Sequence, residues 1–301
     1  MEVLSPGTHF LSLEHQARQR KYVVYVPASG KPPYPLVLAF HGAGGTARTM
    51  LHHSRWLHHS DLNGFVVVAP QGTTPNIDDK PSFRLNPQLW NLGSPGLSSM
   101  IHHADDVGFV QAILDTLPKH LDIDPHRTYA TGFSNGAGLT FRLAGELGDR
   151  LAAISPVAGL PTSQMSKPPR PIPTWCFYSS LDPLVPWSGG EVTSPWTGKS
   201  AERPPVLELI ERWSIDSGFP ADRQIIQKTD DFEEVQLGKT PSAEMLYTKI
   251  NGLGHHWPGG KDVGVPLELL GPRIKTIDAT EKIWAFFKSY SLVNNPAATI
   301  Q

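Results

Sequence analysis

Short β-branched runs alternate along the chain with stretches of helical spacing, and this alternation restricts the fold more than any other feature. Seven runs have the strand pattern: KYVVYV from Lys21, PLVLAFH from Pro35, FVVVAP from Phe65, RTYATG from Arg127, AAISPVAG from Ala152, PTWCFYS from Pro173 and MLYTKI from Met245. Strands separated by helices pair in parallel and are covered by helices on both faces. The sequence therefore predicts an α/β fold with a mostly parallel central sheet flanked by helices.

Two helices are predicted from apolar residues that recur at helical spacing. The first begins near Asp106, between the third and fourth strand runs, and its apolar residues are Val110, Ile113, Leu114, Leu117 and Leu121. The second lies near the end of the chain, and its apolar residues are Ile283, Phe286, Phe287 and Tyr290.

The chain has 301 residues and shows no internal repeat or long linker. We therefore expect one domain over residues 1–301, with its core between about residues 20 and 290. Two insertions rich in Pro, Gly and Trp, at 183–205 and 257–272, each follow a late strand. Ligands bind at this end of the sheet in open α/β folds, so we expect the insertions to form loops over a site.

The composition narrows the class of partner and the compartment. A net charge of −2 without a basic stripe argues against nucleic acid as a partner. No apolar run is long enough to cross a bilayer, and the first twenty residues lack the apolar stretch of a signal peptide. We expect no membrane partner and a cytoplasmic location, or secretion if a leader was removed. The single cysteine, Cys176, is expected to be a buried core residue without a disulfide.

The motif Gly132-Phe133-Ser134-Asn135-Gly136 stands between a strand run and a helical stretch. G-x-S-x-G alone is a weak signal, but a nucleophile elbow needs this strand–serine–helix order. The tight turn requires very small residues two positions either side of the serine, and glycine supplies them. Ser134 is the predicted nucleophile, and a plain glycine-rich turn is the alternative.

A serine nucleophile needs a base that is oriented by a carboxylate, and this fold places them in the order serine, acid, histidine. Asp182 follows the strand run PTWCFYS, and His255 follows MLYTKI, so the order is satisfied. His256 remains an alternative base. Asp182 could instead form an Asp-Pro turn, and Asp216 is an alternative acid.

Acyl transfer also needs hydrogen-bond donors that face the oxyanion. The segment His41-Gly42-Ala43-Gly44-Gly45 directly follows the strand run PLVLAF. We expect the backbone N–H groups of Ala43 and Asn135 to form the oxyanion hole, with Gly44 as the second choice to Ala43. The alternative is a plain glycine-rich turn.

The chain resembles bacterial and fungal esterases of carbohydrate esterase family 1 and the polyhydroxybutyrate depolymerase-like group, which includes feruloyl and acetylxylan esterases. The matching stretches are PLVLAFHGAGG, DDVGFVQAILD, IDPHRTYATGFSNGAGLTFRLA, LDPLVPWSGG, GLGHHWPGG and EKIWAFF. The resemblance implies an α/β-hydrolase catalytic domain without a cofactor, and a triad of Ser134, Asp182 and His255. Secreted members usually have several cysteines and often a binding module, so this chain is expected to prefer soluble or oligomeric esters.

Tryptophans are frequent in the predicted active-face loops, and their flat apolar rings suit an aromatic acyl group or a sugar. We expect Trp257, Trp90 and Trp187 to contact substrate, and Trp196 lies in the same loops. Packing in the core is the alternative for each ring. The leading hypothesis is hydrolysis of feruloyl-type esters, and acetylxylan or short polyhydroxyalkanoate esters are the alternatives.

Two other functions compete with ester hydrolysis. A metal site is suggested by histidine pairs at His52, His53, His58, His59, His102 and His103. Their spacing matches no zinc signature, so we expect a polar surface helix instead and no metal. A noncatalytic binding protein with the same fold is the second competitor. The oligomeric state stays open.

Overall fold

The computed structural model describes residues 3–293, and its central element is a ten-stranded mixed sheet. The expected domain limits at residues 1 and 301 lie outside the described residues. The strands are β1 (Gly7–His15), β2 (Arg18–Val26), β3 (Tyr34–Phe40), β4 (Val66–Pro70), β5 (Ile123–Phe133), β6 (Ala153–Val157), β7 (Thr174–Ser179), β8 (Gly190–Thr193), β9 (Ser200–Arg203), β10 (Gln224–Lys228), β11 (Phe232–Lys239) and β12 (Glu244–Ile250). The α-helices are α1 (Ala47–Ser54), α2 (Trp56–Asn63), α3 (Asp106–Thr116), α4 (Asn135–Glu146), α5 (Val206–Asp216), α6 (Leu267–Leu270) and α7 (Ala279–Phe287).

The large sheet has the strand order β1-β2-β4-β3-β5-β6-β7-β12-β11-β10. Its centre, from β4 to β12, is parallel throughout, and the strands at both edges are antiparallel. The seven predicted strand runs correspond to β2 to β7 and β12. The predicted α/β fold with a mostly parallel sheet is therefore confirmed. The remaining two strands, β8 and β9, form a separate hairpin.

A hydrophobic core lies on each face of the sheet, because successive residues of a strand point to opposite faces. In β3, Leu36, Leu38 and Phe40 belong to one core, whereas Val37 and Ala39 belong to the other. The first core is covered by α3, α4 and α5, and the second by α1, α2 and α7. Both faces are thus sealed, and the carboxyl ends of the parallel strands meet at one edge.

Both predicted helices are present. In α3, the side chain of Asp105 caps the first turn by accepting a hydrogen bond from the N–H of Gly108 at 2.9 Å. The predicted apolar face continues past the helix end, since Leu117 and Leu121 are buried in the turn that follows. None of the helices within residues 3–293 is long and apolar enough to cross a bilayer.

The expected polar helix around the histidine pairs is wrong in two respects. The chain forms two short helices, α1 and α2, which are separated by Arg55 in a left-handed conformation with φ 63°. In the two pairs that these helices contain, one histidine each, His53 and His59, is buried, whereas neither His102 nor His103 is. Because histidine counts as polar in a sequence pattern, the buried His53 and His59 could not be distinguished from the exposed His52 and His58, and the amphipathic spacing of the two helices was missed.

The predicted insertions contain short secondary structure that the sequence patterns do not reveal. The first insertion contains the β8–β9 hairpin, and the second contains the single helical turn α6. β1, β10 and β11 were also missed: β1 and β10 are edge strands with largely exposed residues, and β11 has polar residues interspersed with its apolar ones. Cys176 is buried in β7, as expected, and burial raises the pKa of its thiol.

Candidate active site

Ser134 lies at the junction of β5 and α4, in a strained backbone conformation with φ 55° and ψ −116°. Residues with a side chain rarely adopt positive φ, so the surrounding structure must hold this turn. The N–H of Ser134 donates to the carbonyl of Val157 in β6 at 2.9 Å. Its carbonyl accepts from Ala137 at 3.0 Å and Gly138 at 3.1 Å in the first turn of α4. The side chain of Ser134 is half-buried at the edge of the sheet.

The glycines around Ser134 are required by close backbone contacts. A Cβ atom at Gly132 would lie 2.2 Å from the carbonyl oxygen of Gly136. A Cβ atom at Gly136 would lie 2.4 Å from the carbonyl oxygen of Phe40, at the end of β3. Across the turn, a Cβ atom at Gly159 would lie 2.2 Å from the carbonyl oxygen of Ser134. Any larger residue at these positions would displace the serine from the turn.

Asp182 and His255 form a buried pair, each only 3% exposed. Nδ1 of His255 lies 2.7 Å from Oδ2 of Asp182, so the proton belongs on Nδ1 and Nε2 is left as an acceptor. The other carboxylate oxygen accepts from the N–H groups of Leu184 and Val185, both at 2.8 Å. The backbone N–H of His255 donates to Leu270 at 2.5 Å. This network fixes the imidazole in the tautomer that a general base needs.

The imidazole of His255 packs against Phe133, the residue before Ser134, with 4.8 Å between ring centroids. The pair therefore lies beside the serine turn. Across residues 3–293, no hydrogen bond to the hydroxyl of Ser134 is present. Catalytic hydrogen bonds are often long before substrate binds, so the placement is compatible with proton transfer.

The alternative base and acid both have other partners. Nε2 of His256 donates to the carbonyl of Gly271 at 3.1 Å, and burial lowers the pKa of this histidine. Asp216 lies in α5 and pairs with Lys167 at 2.9 Å and with Arg212 at 2.8 Å. Neither alternative residue takes part in the buried acid–histidine pair.

The two backbone N–H groups predicted as oxyanion donors lie in the loop after β3 and at the start of α4. Among residues 3–293, the backbone N–H groups of Ala43 and Asn135 are bonded to no acceptor, whereas that of Gly44 donates to Gln88 at 2.9 Å. Gly44, the second choice, is therefore already engaged. The loop also lies against the nucleophile, since a Cβ atom at Gly42 would lie 3.2 Å from the Cβ of Ser134.

His41 holds this loop from the inside. Its Nδ1 donates to the carbonyl of Gly42 at 2.8 Å, and its Nε2 accepts from the N–H of Gly72 at 3.0 Å. The side-chain amide of Gln71 donates to the same Nε2 at 3.1 Å. Burial lowers the pKa of His41 to about 4, so the ring is neutral at physiological pH. No role was predicted for His41 from the sequence, because its contacts with Gln71 and Gly72 and the burial of its ring depend on tertiary packing; only its place before Gly42 is visible in the sequence.

Trp90 connects the loop after β3 to Asn135 at the start of α4. Its ring is fully buried, and its Nε1 donates to the carbonyl of His41 at 2.8 Å. Its backbone N–H and carbonyl bond to the side-chain amide of Asn135 at 2.7 and 3.2 Å. The expected substrate contact of Trp90 is therefore wrong, because no part of its ring is accessible.

The expected substrate contact of Trp257 is also wrong. Its ring is 2% exposed, and its Nε1 donates to the hydroxyl of Thr280 at 2.9 Å, inside the core. Trp187 is half-buried and lies 5.4 Å from the ring of Tyr247, with Nζ of Lys249 5.3 Å from its own ring. Its role in binding substrate stays a prediction.

Two aromatic residues that were not among the predicted contacts lie over the loop after β3, residues 41–45. Nε1 of Trp196 donates to the carbonyl of Phe83 at 2.8 Å, and their ring centroids are 5.9 Å apart. A Cβ atom at Gly44 would lie 2.6 Å from Cδ2 of Phe83, and Trp196 packs on the cluster that contains Ala43. Trp196 could have been chosen from its loop, whereas nothing in the sequence around Phe83 marks it.

Comparison with known proteins finds esterases. No protein-family model matches the chain. It is 29% identical over 241 residues to the curated protein "Putative esterase NocK" of Nocardia uniformis subsp. tsuyamanensis, covering 75% of this chain and 66% of that protein. It is 28% identical over 249 residues to feruloyl esterase B of Piromyces equi, and this match covers 80% of this chain and 44% of that protein. Other relatives are a bifunctional acetylxylan esterase/xylanase and a poly(3-hydroxyalkanoate) depolymerase. The matches span between about a fifth and two thirds of the length of these curated relatives.

Among solved structures, the acetyl xylan esterase from Aspergillus awamori superposes with a TM-score of 0.60 and 13% sequence identity. The match covers 94% of this chain and 99% of that one, which shows a shared fold over nearly the whole length. The chain therefore has the α/β-hydrolase fold and is related in sequence to esterases that include feruloyl esterases, an acetylxylan esterase and a poly(3-hydroxyalkanoate) depolymerase.

Proposed function

We propose that the chain is a serine carboxylic ester hydrolase in which Ser134 is the nucleophile, His255 the base and Asp182 the residue that orients the base. The observation that carries this proposal is the buried Asp182–His255 pair beside a serine held at positive φ. Such a constellation is recognised by geometry and roles, and a strained serine turn has no evident structural purpose. Sequence similarity to esterases supports the same reaction class.

In the first half of the reaction, Oγ of Ser134 attacks the carbonyl carbon of the ester and its proton moves to Nε2 of His255. The carbonyl oxygen becomes an oxyanion, which the N–H groups of Ala43 and Asn135 stabilise. The position of Asn135 at the start of α4 adds the positive end of the helix dipole. When the tetrahedral species collapses, His255 protonates the departing alcohol oxygen and an acyl-enzyme ester remains on Ser134.

In the second half, a water molecule enters beside the acyl group and gives a proton to Nε2 of His255. The resulting hydroxide attacks the acyl carbonyl, and the same two N–H groups stabilise the second oxyanion. Collapse expels Oγ of Ser134, which takes the proton back from His255, and the carboxylic acid leaves. Asp182 stays ionised throughout and stabilises the imidazolium that forms twice in each cycle. No step requires a cofactor.

For the acyl group we propose an aromatic acid of the hydroxycinnamoyl type, carried on a soluble or oligomeric ester. The rings of Phe83 and Trp196, both half-buried, lie against the loop after β3, which must hold the ester carbonyl. An aromatic acyl group could pack on these rings, and aromatic pairs contribute about 0.5–1.5 kcal/mol beyond simple burial. The similarity to feruloyl esterases agrees with this preference.

The test is hydrolysis of methyl ferulate, p-nitrophenyl acetate and a 3-hydroxybutyrate oligomer by wild type and the variants Ser134→Ala, Phe83→Ala and Trp196→Ala. Ser134→Ala should abolish turnover of every ester. Phe83→Ala and Trp196→Ala should lower kcat/KM for methyl ferulate by about tenfold, and should change it little for the acetate. Trp187→Ala in the same assay decides whether Trp187 contacts the substrate.

Each alternative has its own outcome. A higher kcat/KM for the acetate or the oligomer than for methyl ferulate would overturn the aromatic preference and leave the ester hydrolase intact. If wild type hydrolysed none of the three esters and Ser134 reacted with no fluorophosphonate, the chain would be a noncatalytic binding protein with this fold.

A further inference from the structure

A groove of about 550 Å³ lies between the β1–β2 hairpin and the helices α1 and α2, at the margin of the second core. Its floor is apolar and consists of Val23 and Leu51, which are buried, and Leu57, which is half-buried. Phe10 forms one wall; it pairs with Val23 across the hairpin and is 59% exposed. The exposed ring of Phe10 therefore lies beside an apolar floor, and concave surfaces lined by apolar side chains are the usual sites of small ligands.

The rim of the groove is positively charged. Arg48, His52 and Arg55 occur on one face of α1 and its end, at i, i+4 and i+7, and Lys261 closes the opposite side. Among residues 3–293, no Asp or Glu lines this groove. Arg55 is neutralised by Asp278 at 2.7 Å. Within the described part of the chain, neither Arg48 nor Lys261 has a carboxylate partner. Two uncompensated cations therefore border an apolar surface.

The ring of Phe10 links the apolar wall to the charged rim. The guanidinium of Arg48 lies 4.4 Å from the centroid of this ring, which holds the charge at the edge of the groove. The histidine pairs fit the same division, since His52 and His58 line the groove whereas His53 and His59 are buried behind it. The pairing that suggested a metal site in the sequence thus marks the boundary between groove and core.

We propose that this groove is a binding site for an amphipathic carboxylate, namely a free fatty acid of medium chain length. The aliphatic chain lies on Val23, Leu51 and Leu57, and the carboxylate is held by Arg48 and Lys261. Pockets for small ligands have volumes of about 300–1,000 Å³, so the groove has a suitable size. The site is separate from the catalytic residues and does not depend on the proposed ester hydrolysis.

The test is calorimetric titration of the full chain with sodium decanoate, with acetate as the head group alone and octyl glucoside as an uncharged amphiphile. Decanoate should bind with a stoichiometry of one, and the two controls at least about tenfold more weakly. Arg48→Gln and Lys261→Gln should each weaken decanoate binding by about tenfold, because each removes a charge-assisted contact. Phe10→Glu, which adds a negative charge to an exposed wall, should abolish binding.

The matched control is Lys119→Gln. Lys119 is an exposed lysine in the turn after α3, on the other face of the sheet, and its loss should leave decanoate binding unchanged. Unfolding midpoints show whether each variant is folded. The proposal is overturned if decanoate does not bind, if octyl glucoside binds as well as decanoate, or if the folded groove variants bind like wild type. Binding that disappears when Ser134 is covalently blocked would place the ligand in the active site and would also overturn it.

Discussion

His41 should make the stability of the fold depend on pH in a window that follows from its environment. Burial lowers the pKa of this histidine from 6.5 to about 4. Between these two pKa values, His41 takes up a proton in the unfolded chain but not in the folded chain. Because each pKa unit is worth about 1.36 kcal/mol, the neutral, buried state of His41 contributes up to about 3 kcal/mol of stability that acid removes. This stability is fully present above pH 6.5, and it is lost as the pH falls from 6.5 towards 4.

The measurement is urea unfolding of wild type and His41→Gln at several pH values between about 7 and 4.5. Glutamine retains a hydrogen-bonding side chain but cannot take up a proton, so the variant removes one titrating group. Its stability at neutral pH should be lower than that of wild type, because the ring and its hydrogen-bond geometry are lost. The free energy of unfolding of wild type should therefore fall more steeply with acid than that of the variant, by up to about 1.4 kcal/mol per pH unit below pH 6. His53, whose pKa burial lowers to about 3, keeps part of the dependence in both proteins.

The control is His126→Gln, because His126 is an exposed histidine outside the loop after β3. The same titration of this variant measures how far the loss of an exposed histidine changes the curve. Parallel curves for wild type and His41→Gln would show that His41 takes up its proton equally in the folded and unfolded chain. That result would refute the neutral, buried role assigned to it.

Three further substitutions test the framework of the site. Trp90→Phe leaves the carbonyl of His41 without a donor, so the free energy of unfolding in urea should fall by about 1–3 kcal/mol. In steady-state kinetics kcat should fall more than KM rises, and an unchanged kcat would contradict the role of Trp90 in positioning Asn135. Asp106→Asn removes the buried counter-ion of Arg20, which lies 2.6 Å away and is 7% exposed, so the free energy of unfolding in urea should fall by about 3–5 kcal/mol. A loss below about 1 kcal/mol would show that the pair is not buried in solution. Gly136→Ala should leave a folded protein by circular dichroism with activity lowered at least about a hundredfold, because the added methyl group meets the backbone at the end of β3; near-normal activity would refute the tight turn.

Much of the fold could be predicted because its signals are local. The central strands are continuous apolar runs, and the serine turn needs glycine at fixed positions, so both are visible in a single sequence. The positions of Asp182 and His255 followed from their strands, because parallel strands end at the same edge of the sheet. Edge strands such as β1 and β10 were missed because exposed residues do not show the apolar pattern of a buried strand.

The tryptophans show where sequence reasoning fails. Trp90, Trp187 and Trp257 occur in similar loop segments, and composition assigns all of them the same function. In the structure, the indole N–H groups of Trp90 and Trp257 bond inside the core to partners distant in sequence, whereas Trp187 stays half-buried. The partner of Trp90 is the carbonyl of His41, after β3, and the partner of Trp257 is the hydroxyl of Thr280, in α7. Phe83 has the opposite problem, since its place over the loop after β3 depends only on tertiary packing.

The central claim is that the Asp182–His255 pair activates Ser134. The most direct measurement is the rate at which a fluorophosphonate labels the intact protein, followed by mass spectrometry, for wild type, Ser134→Ala, His255→Ala and His256→Ala. We expect one adduct on wild type and none on Ser134→Ala. Labelling should be at least about a thousandfold slower on His255→Ala and should proceed at nearly the wild-type rate on His256→Ala. Equal rates for wild type and His255→Ala, or an adduct that persists in Ser134→Ala, would contradict the claim.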